Sequence, residues 1–122
     1  MNKLNNIPFQ NIDWESIPKT EHKGEKGTSF WQTVEFPGLR IRIVEYSKGY
    51  TADHWCQKGH IVHCLEGSLI SEMENENYNK KGFVLSKGNT YVVSDGMSSH
   101  RSVSVEGAKL FIIDGDFLNL NK

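Results

Sequence analysis

Residues 39–46, Leu-Arg-Ile-Arg-Ile-Val-Glu-Tyr, alternate apolar and polar side chains. A period of two belongs to a half-buried strand, and it places Leu39, Ile41 and Ile43 on one face. An arginine such as Arg42 then reads as an outer-face residue of the same strand. Strand-like runs follow at 61–65, 69–73, 83–85, 90–93, 102–105 and 109–113. Between them lie Lys48-Gly49, Lys58-Gly59, Glu66-Gly67, Lys81-Gly82, Lys87-Gly88, Asp95-Gly96, Glu106-Gly107 and Asp114-Gly115. Glycine supplies the positive φ of tight reversals, so the spacing predicts short antiparallel strands joined by hairpins. The polar stretch 72–81 predicts one hairpin tip. A sandwich or barrel is the natural outcome of such a series. Residues 1–32 differ: Phe9, Trp14, Phe30 and Trp31 are scattered among Pro8, Pro18 and a charged stretch at 19–26, with no helical period. They read as an extended arm, and residues 33–122 as the barrel domain it packs on.

Composition narrows the picture. At 122 residues the chain has room for one core, and 37% hydrophobic with 24% charged residues is enough to fold it. A net charge of −1, with Lys and Arg dispersed, gives no footprint for nucleic acid or an anionic membrane. The start, Met1-Asn-Lys-Leu-Asn-Asn, lacks the apolar core of a signal peptide, and no apolar run approaches the ~20 residues of a membrane span. A cytoplasmic protein is expected, with Cys56 and Cys64 free or metal-bound rather than paired.

The residues that carry chemistry cluster in Asp53-His-Trp-Cys-Gln-Lys-Gly-His60. On a strand, His54 and Cys56 project from one face and Asp53 and Trp55 from the other, so the first pair can share a metal ion. Lys58-Gly59 offers a reversal, and His60 opens the next strand as a third ligand candidate. Val62 and Cys64 share its parity, while His63 faces away. His100 follows a turn at 94–99, and a barrel can bring it alongside. Each residue has a plainer alternative: a lumen-lining histidine and a buried free thiol for His54 and Cys56, and a hydrogen-bonded turn histidine for His60 and His100. His63 reads as a non-ligand because of its parity, Cys64 as a packing residue deeper on the strand, and His22 as a solvated side chain of the arm.

Gly49-Tyr-Thr-Ala-Asp-His54-Trp-Cys56-Gln-Lys-Gly-His60-Ile-Val-His-Cys-Leu-Glu-Gly67 resembles the first cupin motif, in which a glycine precedes His-x-His, then Glu, then six residues and a glycine. Cys56 stands at the second histidine of that motif and His60 at its glutamate. Gly88 to His100 is similar to the second motif, with Ser94 for the usual proline and one extra residue before the histidine. The Asp-His-Trp-Cys run resembles a small cupin subgroup named for an Asp-His-Cys-Trp motif, over residues 7–118. The resemblance implies an all-β, cupin-type jelly-roll barrel with a lumenal metal site built from His54, Cys56, His60 and His100. Three neutral imidazoles and one thiolate bring the same single negative charge to a divalent cation as three histidines and a carboxylate. The softer sulfur favours zinc, with iron or nickel behind it.

Polar anchors for a small-molecule ligand are Arg40, Arg42, Glu66, Tyr91 and Arg101, and apolar walls are Trp31, Trp55 and Phe83; parity alone does not say which of these face the lumen. Three functions stay open: a metal-dependent enzyme on a small molecule, a non-catalytic metal or ligand module with a closed site, and a metal-free barrel. Small barrels of this kind associate through sheet edges, so a homodimer is expected.

Overall fold

The computed structural model describes residues 6–74, 80–97 and 99–119. Among these, nine strands form one curled, wholly antiparallel sheet: β1 (Thr20–Lys23), β2 (Thr28–Phe36), β3 (Leu39–Tyr46), β4 (Tyr50–Thr51), β5 (His60–Glu74), β6 (Lys80–Ser86), β7 (Thr90–Val93), β8 (Ser99–Ser104) and β9 (Ala108–Gly115). The path runs β1-β2-β3-β9-β5-β8-β4, with β6 and β7 also paired to β5. No helix among the described residues is long and apolar enough to cross a membrane.

The spine is β5. Its first half pairs with β9 and β7, and its second half with β6 and β8. Glu66-Gly67, expected to reverse the chain, instead makes a bulge inside this strand: the β5–β9 register shifts between Cys64 and Glu66, and Gly67 takes φ 73. An extra residue bends a strand without ending it, so one strand serves both walls of the barrel. Lys81-Gly82 likewise lies inside β6, whose pairing continues on both sides of it, and Asp114-Gly115 forms the paired end of β9. The expected hairpin at 72–81 is present in its paired residues, Glu72 opposite Gly82 to Glu74 opposite Lys80, while its tip lies outside the described residues.

The inward face of β3 is the opposite of the one its apolar residues suggest. Arg42 and Val44 are 5% and 1% exposed, whereas Ile43 faces outward beside Trp14, Ile17 and Leu65. This outer face is covered by the segment before β1. Trp14 meets Phe111 edge-on at 6.2 Å, and the Gln32 side-chain amide donates to the Trp14 and Ile17 carbonyls at 2.6 and 3.0 Å. Both faces of β3 are therefore packed, and an arginine with a buried partner takes the lumen side. The boundary at 32/33 read from the sequence falls inside β2, which pairs with β3 from Ser29 to Phe36.

Cross-strand register stacks the lumen in rungs. Val44, Leu110 and Cys64 form one rung, and Arg42, Ile112 and Val62 form the next. Beyond them Arg40 lies opposite Asp114, with His60 one step past the Ile61–Ile113 pair. The core is thus Val44, Val62, Cys64, Leu69, Leu85, Ala108, Leu110 and Ile112, capped at one end by a polar rung.

The bulge makes a test of the spine. A Cβ at Gly67 would run into the Gly107 carbonyl oxygen, whereas one at Gly88, also at positive φ, meets nothing within 4 Å. Gly88→Ala is expected to cost about 1 kcal/mol of stability and Gly67→Ala clearly more, about 2–4 kcal/mol, in urea unfolding. Equal losses would show that the bulge does not depend on glycine.

Candidate metal centre

Cys56 does not lie on a strand. Residues 52–59 form a loop, so the alternation that pairs His54 with Cys56 does not apply there. Cys56 is instead fixed by a two-residue bridge to the start of β8: its N–H donates to the His100 carbonyl at 2.8 Å, and the His100 N–H donates back at 2.9 Å. Reciprocal bonding of this kind holds two Cα atoms about 5.5 Å apart with both side chains on one side. The Cys56 sulfur and the His100 ring therefore project together.

The loop then returns through Gly59. A Cβ there would sit 2.6 Å from the Asp95 nitrogen and from the Val93 carbonyl oxygen, and the Gly59 N–H donates to the Asp95 carboxylate at 2.5 Å. Glycine serves here through lack of bulk, not through positive φ. The close approach brings His60 into the first position of β5, and its Nε2 lies 3.9 Å from the Cys56 sulfur. The ligand atoms of Cys56, His60 and His100 all fall within 4.8 Å of one another.

Asp114 orients this cluster. It is 1% exposed, accepts from Arg40 Nε and Nη2 at 3.1 and 2.9 Å and from Arg42 Nη2 at 3.1 Å, and lies 3.2 Å from His60 Nδ1. Burial alone would raise its pKa, but the His60 hydrogen bond and the two guanidiniums outweigh burial and hold the carboxyl far below the usual range. An ionised carboxylate only accepts, so His60 must carry its proton on Nδ1, which leaves the Nε2 lone pair for the cluster. Burial opposes the charged form of His60, yet Asp114 and Cys56 together raise its pKa.

At Cys56 the His100 and His60 imidazoles, with the Lys58 N–H bond to sulfur, outweigh burial and bring the thiol down to about 5. Cys64 is the opposite case: burial pushes it up, and its S–H donates to the Glu66 and Gly67 carbonyls. Both cysteines are free. His100 is 6% exposed, and apart from its approach to the Cys56 sulfur its ring nitrogens have no hydrogen-bond partner among the described residues. A buried imidazole with no other partner, next to a thiolate and an oriented second imidazole, fits a divalent cation with borderline-soft preferences.

His54 stands outside the cluster. Its side chain is 75% exposed, and Nδ1 lies 2.6 Å from the neighbouring Asp53 carboxylate. It reaches the rim of a cavity of about 220 Å³ that opens beside the cluster. Arg40, Arg42, Tyr91, Arg101 and Trp31 also line this cavity, whereas Glu66, Trp55 and Phe83 do not. Trp55 lies under the Arg101 guanidinium at 5.1 Å, and Phe83 is 55% exposed. His63 shares a hydrogen bond with Thr90, and His22, expected to be solvated, stacks on Trp31 at 3.8 Å. Asp114 carried no signal in the sequence as a site residue, because it stands before a glycine like a turn aspartate and its three partners lie on other strands.

No family model and no curated protein matches the sequence. Solved structures do match. Oxalate decarboxylase of Bacillus subtilis superposes with a TM-score of 0.68 at 16% identity, covering 93% of this chain and 31% of that one. Oxalate oxidase superposes at 0.60 with 18% identity, over 71% of this chain and 50% of that one, and its complex with glycolate at 0.55. The chain spans about a third of the length of the oxalate decarboxylase it matches. Identities this low speak for architecture alone, and together with the curled antiparallel sheet and its lumenal rungs they show that this chain has the cupin fold.

Proposed function

We propose that this barrel is a metal-binding cupin that holds one divalent ion on Cys56, His60 and His100 and keeps a coordination position open toward its cavity for a small molecule. The observation that carries the reading is the convergence of three ligand atoms within 4.8 Å, one of them on a buried imidazole with no other partner. Three protein ligands with a free fourth position is the pattern of catalytic zinc sites, whereas structural sites close with four. An exposed His54 at the rim therefore favours the open site over the closed one. Thiolate with two imidazoles suits zinc first, and iron or nickel after it. When bound, such an ion supplies Lewis-acid polarisation or an activated water. The chain's own part is orientation: Asp114 fixes the His60 ring, and the Cys56–His100 bridge fixes the other two donors. Two of the proteins that share the fold are named as enzymes acting on oxalate, and an open position suits small-molecule chemistry here as well.

Protein purified without an affinity tag or added metal is expected to carry about one equivalent of metal by mass spectrometry, lost in Cys56→Ala and His100→Ala but kept in His54→Ala. Equal loss in His54→Ala would favour a closed four-ligand site. Folded wild type that takes up no divalent ion would end the metal reading.

The Cys56 thiol supplies a second check. With its pKa lowered to about 5, the thiolate is present above that value and lost as pH falls through it. Alkylation of Cys56 by iodoacetamide in metal-free protein is therefore expected to be flat from about pH 6 to 8, to fall below about pH 5, and to be suppressed by zinc. Cys64 reacts only on unfolding. A rate that climbs about tenfold per pH unit through neutrality would mean an ordinary thiol.

A further inference from the structure

Arg40, Arg42, Lys58 and Arg101 line the cavity beside the metal centre; Arg101 is paired with Glu72 and Glu25, and the negative groups facing the two β3 arginines are Asp114 and the Cys56 sulfur. Asp114 sits behind the two β3 arginines and treats them unequally. It accepts from both Nε and Nη2 of Arg40, but from Arg42 it accepts at Nη2 alone. The Arg42 side chain is 6% exposed, and its Nε is buried with no partner among the described residues. Trp31 covers the guanidinium at 4.5 Å, which helps the charge but accepts no in-plane N–H. A buried, charged donor without an acceptor is costly, and the side chain that carries it lines the cavity.

Beside the arginines and the Cys56, His60 and His100 cluster, part of the wall is apolar, with Tyr91 and Ser102 among its other polar members. Val44, Val62, Leu110 and Ile112, all core residues, line the same space. A compact hydrated anion such as phosphate leaves that surface unused, and a neutral apolar molecule leaves the arginine unpaired. The volume of about 220 Å³ suits a small molecule, a cavity of about 150 Å³ being enough for benzene.

We infer that the cavity receives a short aliphatic carboxylate, with its head on the Arg42 guanidinium and its hydrocarbon part against Val44, Val62, Leu110 and Ile112. The inference rests on the metal reading for the open position beside the ligand, and it names the class of molecule that comes to it. Arg40, held on both its Nε and Nη2 by Asp114, is a neighbour in the field, and Arg42 is the recognising group.

Isothermal titration of zinc-loaded, full-length protein with isobutyrate, isobutyramide and inorganic phosphate tests this. The carboxylate is expected to bind at least about tenfold more tightly than its amide or phosphate, and Arg42→Lys to lose about tenfold or more in carboxylate affinity with zinc content and circular dichroism unchanged. Amide or phosphate bound as tightly as the carboxylate, no carboxylate binding at all, or wild-type affinity in Arg42→Lys would each overturn the inference. Should Arg42→Lys fail to fold, the carboxylate-to-amide ratio in wild type decides. A protein that takes up no zinc defeats the metal reading by itself, and the same ratio measured on that metal-free protein then decides for or against Arg42.

Discussion

One buried carboxylate holds the open end of this barrel together. Asp114 is nearly sealed from solvent, and Arg40, Arg42 and His60 converge on it from the two strands that flank β9. An ionised carboxylate in a protein interior costs several kcal/mol unless its lone pairs are filled, and a buried charge left without its partner costs more than the pair returns. The four contacts offset that cost together. They also explain why β3 turns an arginine inward where its pattern offers isoleucines, and why the His60 ring presents Nε2 to the cluster. Such a network is weak evidence for stability and good evidence for positioning.

The second constraint is the continuity of β5. By bending at Gly67 and not reversing there, a single strand carries His60 at its start and pairs Met73 with His100 near its far end. The proposed metal centre thus joins the start of β5, the start of β8 and the loop before β5, with Cys56, His60 and His100 each in a backbone pair. Preorganisation of this kind does not ask the ligands to pay for order when an ion arrives.

Charge balance links the two halves of the lumen. A thiolate at Cys56 and the Asp114 carboxylate face two guanidiniums, so the metal-free lumen is close to neutral at neutral pH. A divalent ion on the cluster would leave the cavity with an excess of positive charge, and low-dielectric walls strengthen its pull on an anion. The apolar rungs beneath set the limit on what else can enter.

The sequence by itself determined the all-β architecture, strand runs that fall on six of the nine strands, the packing role of Cys64, the exclusion of His63 from the cluster, and the residues Cys56, His60 and His100 as a group worth bringing together. Alternation and glycine spacing are local properties, and the cupin-like motif carries its spacing in the chain. Tertiary structure decided what depends on neighbours distant in sequence. Glu66-Gly67 looks like a hairpin and becomes a bulge because residues after it find partners on β6 and β8. His54 leaves the cluster because residues 52–59 do not form the strand on which its parity with Cys56 relied. Arg42 goes inward and Asp114 becomes the organising group because each supplies the charge that makes burial of the other tolerable, and their 72-residue separation is closed only when β3 pairs with β9.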